Sequence, residues 1–180
     1  MADILEINDK SLRYFLYSTN KDNFYSEFKL KKRNGGERII LAPIIELKQI
    51  QRKMAHILNL IYKPKICTYG FVKNKNIVDN AKCHSNARLV FNIDLKDFFN
   101  QIHFGRIRGM FLNKPYAIGE EASTTFAQLA CHKGILPQGA PSSPIITNMI
   151  CKPLDNQLIN LAKKYGLHYS RYADDITFST

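Results

Sequence analysis

No apolar run in this chain approaches the roughly 18–20 residues that a membrane-spanning helix requires. Cysteine is scarce. The four present, Cys67, Cys83, Cys131 and Cys151, lie 16, 48 and 20 residues apart and form no CxxC pair. Such spacing excludes a disulfide-rich scaffold and gives little support to a zinc module, even though Cys83-His84 and Cys131-His132 are adjacent, because paired ligands normally sit a few residues apart. Low-complexity stretches, internal repeats and linkers are also missing. With 45% apolar and 23% charged residues, the composition excludes wholesale disorder and collagen-like classes. The opening Met1-Ala2-Asp3-Ile4-Leu5-Glu6 lacks the basic start and long apolar stretch of a secretory signal. The expectation is a soluble, cytoplasmic protein with reduced thiols and no membrane partner. At 180 residues it can bury a core without metal or disulfide staples, as one domain or two small lobes.

Acidic residues are the minority: 15 Asp and Glu against 26 Lys and Arg, a formal net charge of +11. Residues 21–88 hold 15 of the basic residues and only 5 acidic ones, so nearly all of the excess lies there. Residues 89–180 are close to neutral. A basic lobe beside a neutral one fits a polyanionic partner, because Lys and Arg that replace phosphate counterions gain affinity. The plainer reading is a solvated basic face with no partner.

Asp9 is positioned to cap a helix over 10–18, with Leu12, Phe15 and Leu16 on one face. Residues 24–30 and 37–42 are β-prone, and Asn34-Gly35-Gly36 between them predicts a hairpin. Pro43 suits the first turn of a helix reaching Tyr62, in which Leu47, Ile50, Met54, Ile57, Leu58 and Ile61 keep a helical period. Leu89 to Ile93 reads as a buried strand that delivers Asp94. Helices are expected near 103–112 and 119–132, a loop at 134–141, and a long helix over 143–164 with Pro153 as its kink point. Strands at 167–172 and 176–180 flank Ala173-Asp174-Asp175 as a second hairpin.

An Asp-Asp dipeptide alone most often marks a solvated turn. Asp94 changes the weight of the pair, since an acid ending an apolar strand needs a partner near a core. If its strand lies beside the Asp174 hairpin, three carboxylates converge, and such hard oxygen ligands suit two Mg²⁺ ions and in-line phosphoryl transfer. Asp97, three residues on, reads as a turn cap.

The ordered motifs carry a resemblance. Tyr172-Ala173-Asp174-Asp175 resembles the YxDD signature of reverse transcriptases, and Leu136-Pro137-Gln138-Gly139-Ala140-Pro141-Ser142-Ser143-Pro144 is similar to their LPQGxxxSP segment. Asn80-Ala81-Lys82-Cys83-His84 resembles the NAxxH element of bacterial retron reverse transcriptases. The resemblance covers roughly residues 20–180. It implies an α+β fold, the fingers and palm of a right-hand polymerase with an antiparallel palm sheet packed on helices. Residues 1–88 would be a basic fingers-like lobe with an N-terminal helix, and 89–180 a palm lobe.

By resemblance, Asp94, Asp174 and Asp175 are the catalytic residues and hold two Mg²⁺ ions, or Mn²⁺, with the Leu95 carbonyl as a further metal ligand. Lys32 and Arg38 correspond to fingers residues that grip the triphosphate, with Lys31 or Arg33 as alternatives. Phe99 stands where the family places an aromatic ring that clashes with a ribose 2′-hydroxyl; without the resemblance it reads as a core residue. Gln138 would contact the incoming nucleotide, and Gly139 would let backbone approach closely. Asn80 and His84 have either a structural part or a contact with the cognate RNA. The implied activity is RNA-directed DNA polymerisation on a structured noncoding template RNA, with deoxynucleotides as substrates and an RNA–DNA product. Such enzymes commonly belong to antiphage systems with a separate effector protein.

Thr180 falls five residues after Asp175, where the family continues into the remaining palm and a thumb. The expectation is therefore a truncated polymerase with the thumb absent or supplied by a second chain, polymerising poorly or not at all alone, whose last strand leaves an unfinished sheet edge. The rival from another class is a catalytically silent RNA-binding or assembly module. Group II intron and diversity-generating reverse transcriptases share the palm motifs but not the Asn80–His84 element. A generic metal-dependent nuclease gives no reason for the Leu136–Pro144 loop.

Overall fold

The computed structural model describes residues 2–31 and 35–180, which divide into two compact units, each discontinuous in sequence. Met1–Ile61 and Phe99–Ser143 form the first, Tyr62–Phe98 and Pro144–Thr180 the second. This division differs from a boundary at residue 88. Charge density follows the solvent-facing residues, whereas the units are set by which apolar faces pack together.

In the first unit, α1 (Ala2–Leu5) and α2 (Asp9–Tyr17) lead into a short 3₁₀ turn, Lys21–Phe24. The cap of α2 is Asn8, not Asp9: the Asn8 side chain accepts from the Ser11 amide, and Asp9 occupies the first turn. The antiparallel hairpin β1 (Tyr25–Lys31) and β2 (Glu37–Pro43) pairs Tyr25 with Pro43 and Lys31 with Glu37. Pro43 thus ends a strand, and α3 (Ile45–Ile61) starts two residues later. Beyond it come α5 (Phe104–Leu112) and α6 (Glu120–Ala130). Helix α6 packs against α2, α3 and α5, burying Leu12, Phe15, Leu47, Ile50, Met54, Phe111 and Phe126. Gln51 ties three elements together, its amide donating to both the Tyr25 hydroxyl and the Leu129 carbonyl at 2.8 Å.

The second unit contains α4 (Ile77–Lys82), β3 (Val90–Asp94), β4 (His168–Tyr172) and β5 (Asp175–Ser179), with most of α7 (Ser143–Lys164). Helix α7 runs through Pro153 as one element. The sheet is antiparallel with order β3-β5-β4. Its two faces differ in chemistry because side chains alternate along a strand. Ile176 and Phe178 pack with Leu154, Leu158, Ala162 and Tyr169, residues four apart on α7 meeting alternate residues of the strands. The opposite face carries Asn92, Asp94, Ser170, Asp175, Thr177 and Ser179. The last strand is therefore central, and the expected unfinished edge lies elsewhere. Residues 67–69 bond along β4, whereas β3 is exposed at all five positions, Phe91 at 63%. The expectation of a buried strand at 89–93 fails for the same reason.

Candidate active site

The carboxylates are brought together by strand register. Asp94 and Asp175 are direct partners across β3 and β5, so both side chains leave the same face. Asp174 occupies the two-residue turn between β4 and β5, and its carbonyl accepts from the Leu95 amide at 3.1 Å. That bond pins the exit of β3 to the turn. Partial desolvation pushes the Asp175 carboxyl above its ordinary value, and the charges of Asp174 and Asp94 push it further. Asp94 and Asp175 are exposed and Asp174 is half-buried. Among the described residues no three acidic, His or Cys side chains already form a tight metal-ligand cluster. Three convergent carboxylates were expected; two in register with a third beside them are found. Like charges placed this close repel, and a cation bound between them would relieve that repulsion. The donor set, exposed hard oxygens, fits a divalent cation with bound water.

Asn80 and His84 lie beneath this face. The N-terminus of α4 is closed by a reciprocal capping box between Asn76 and Asp79. His84, buried, bonds Ser179 through Nδ1 and Ser170 through Nε2, each at 2.7 Å. With both ring nitrogens engaged inside the protein, the ring spans β4 and β5 as a structural pin. Burial lowers its pKa, with nearby His168 adding to the effect. Asn80 is also buried, and its side-chain oxygen has no hydrogen-bond partner.

The nucleotide-binding candidates belong to the first unit. Arg38 is exposed on β2, opposite Leu30. Lys32 and its alternative Arg33 lie outside the described residues, while Lys31 is exposed at the end of β1. Phe99 is half-buried and begins the turn closed by the Ile102 amide bonding to its carbonyl. The Gln138 carbonyl accepts from the Leu41 amide at 2.8 Å. Gly139 has φ +127°, and a Cβ there would stand 2.8 Å from the Leu41 carbonyl oxygen. The close approach that requires glycine is thus to the chain's own strand β2. Ser143 closes the loop by donating to the Pro137 carbonyl at 2.7 Å.

Sequence reasoning missed the residues behind the Asp174 turn. Arg171 and Asp155 form a fully buried ion pair, Nε to Oδ1 at 2.8 Å and Nη2 to Oδ2 at 2.9 Å. The available signal was phase: Asp155 falls one residue after Leu154 on the inward stripe of α7, and Arg171 shares the α7 face of β4 with Tyr169. A charge at a core phase demands a counter-charge.

The chain that places these paired acids at a hairpin tip belongs to the reverse transcriptase (RNA-dependent DNA polymerase) family, whose model matches residues 30–180. It is 35% identical over 99% of its length to the retron Mx162 reverse transcriptase of Myxococcus xanthus, covering 41% of that protein. To the retron Ec86 reverse transcriptase of Escherichia coli it is again 35% identical over 99% of its length, covering 55% of that protein. The chain thus spans about half the length of these curated relatives. Among solved structures, telomerase from Candida albicans, determined with a fragment of telomeric RNA, matches 87% of this chain and 38% of its own with a TM-score of 0.56. At 11% identity that likeness is one of fold.

Proposed function

We propose that this chain forms the nucleotidyl-transfer centre of a retron-type RNA-directed DNA polymerase that copies a structured noncoding RNA into DNA. The observation that carries the reading is the register pairing of Asp94 with Asp175, beside Asp174, in a reverse transcriptase family chain. Asp94, Asp174, Asp175 and the Leu95 carbonyl would hold two Mg²⁺ ions, replaceable by Mn²⁺. When bound, such ions lower the pKa of the primer hydroxyl and neutralise the triphosphate and departing pyrophosphate. The carboxylates fix where that charge is presented, and the Leu95–Asp174 backbone bond keeps β3 aligned with the turn. By the resemblance, Arg38 and Lys32 would grip the triphosphate, Gln138 would meet the incoming nucleotide and Phe99 would reject a 2′-hydroxyl, while Gly139 lets the loop lie against β2. The wider reading is a cytoplasmic antiphage retron system with a separate effector protein, supported by similarity to retron enzymes.

The test is deoxynucleotide incorporation on an RNA template with Mg²⁺, comparing wild type with the Asp174→Asn/Asp175→Asn double variant. Incorporation by wild type and none by the variant is expected. No incorporation by either, with RNA binding retained, means that this stretch is an incomplete polymerase that needs the thumb for activity; the RNA binding would rest on the basic stretch 21–88.

A further inference from the structure

The turn bearing Asp174 is held from behind. Ala173 has φ +56°, a left-handed conformation that a non-glycine residue adopts only when its surroundings enforce it. A two-residue hairpin turn calls for positive φ at its first position, and Arg171 braces that conformation. Its Nη1 donates to the Ala173 carbonyl at 2.9 Å and to Asn148 Oδ1 at 3.2 Å. Its remaining edge makes the two-bond fork with Asp155. Asp155 is oriented in turn by the Tyr169 hydroxyl at 2.7 Å and Thr68 Oγ1 at 3.3 Å. Asn148 Nδ2 donates to the Gly70 carbonyl at 2.9 Å, and a Cβ at Gly70 would collide with the Ala173 backbone. Arg171, Asp155, Asn148 and Thr68 are completely buried. A planar guanidinium can satisfy a carboxylate and two carbonyl-type oxygens at once; an ammonium, a point charge on a flexible stem, cannot reproduce that fork.

We propose that Arg171, clamped by Asp155 and Asn148, is a positioning residue for nucleotidyl transfer: it fixes the Ala173 carbonyl and so sets where the Asp174 and Asp175 carboxylates present themselves to divalent cations. The inference rests on the functional reading above. It predicts that cation affinity depends on a side chain that touches no cation.

The experiment titrates Mn²⁺ into this chain and reads free Mn²⁺ by electron paramagnetic resonance, for wild type, Asp175→Asn, Arg171→Lys and Asn148→Ala, with thermal melting and RNA binding measured alongside. Wild type is expected to bind Mn²⁺ in a manner lost in Asp175→Asn. Arg171→Lys is expected to bind it about 10-fold more weakly, the usual size of an outer-sphere effect, with RNA affinity unchanged. If Arg171→Lys fails to melt cooperatively, Asn148→Ala, which frees Nη1 of one partner, carries the test and should weaken Mn²⁺ binding with RNA affinity unchanged. A cooperatively folded Arg171→Lys, or Asn148→Ala in its place, with wild-type Mn²⁺ affinity overturns the positioning proposal and leaves the functional reading standing. Wild type without Asp175-dependent binding overturns both.

Discussion

Asp175 faces one carboxylate across the sheet and follows another along the chain, and its raised pKa states the consequence in free energy. A carboxyl whose folded pKa exceeds its ordinary value costs stability once ionised. The cost is absent well below the ordinary value, grows as pH rises from there, and is complete above the raised one. Asp175→Asn is therefore expected to raise the melting temperature at pH 7 in EDTA by about 1–3 °C, matching the roughly 0.2–1 kcal/mol that opposed like charges cost. The same variant should abolish nucleotide incorporation and remove any stabilisation by Mg²⁺. A melting temperature in EDTA below that of wild type would mean that the Asp175 side chain supports the fold rather than straining it. The gain in stability paired with loss of function is the mark of a site whose charges are arranged for a ligand.

At the scale of elements, the palm sheet depends on two devices. His84 bridges Ser170 and Ser179 as a neutral ring. Because burial lowers its pKa, the unfolded chain binds the proton more readily, and stability is complete above about pH 6.5 and declines as pH falls through that value towards the lowered one. Melting temperatures measured from pH 8 to 5.5 should fall less steeply in His84→Gln than in wild type; equal slopes would remove His84 as the titrating group. The exposed edge β3 is the second device. Phe91 and Val90, exposed at 63% and 50%, lie on a strand with one sheet neighbour among the described residues, a template for strand addition. Phe91→Lys is expected to leave the melting temperature within about 2 °C of wild type, as exposed substitutions usually do, and to reduce concentration-dependent self-association in light scattering. These elements also show what the sequence could convey. The β1–β2 hairpin, α3, α5, α6 and α7 were legible because their periodicity runs for several turns or alternations. Helix α4 was missed because six residues with Ile77 and Val78 exposed carry no inward stripe, although the Asn76-to-Asp79 capping spacing was there to be read. The acids were legible as a motif, while the Arg171–Asp155 support was not, since pairing across 16 residues requires the strand and helix to be in place first.

For the whole molecule, charge and packing follow different divisions. The basic stretch 21–88 contributes residues to both compact units, so no single apolar core accounts for it. Lys63, Lys73, Lys82 and Arg88 in the second unit are exposed, with Asp79 the acidic residue among residues 62–88. Cations left in water without matching acids contribute little to stability, and their effect is felt by an approaching polyanion. If about four of them neutralise phosphates of a single-stranded RNA, the slope of log K against log salt is about −3, and affinity falls roughly 60-fold between 50 and 200 mM salt. Replacing Lys63 and Lys73 by Gln should reduce that slope by about 1.4 while leaving thermal stability unchanged, because each lost phosphate contact removes about 0.7. Filter binding across a salt series, with melting as the control, measures both quantities. A slope near zero in wild type would show that RNA is held without these lysines. A slope that survives the double substitution would remove Lys63 and Lys73 from the phosphate contacts.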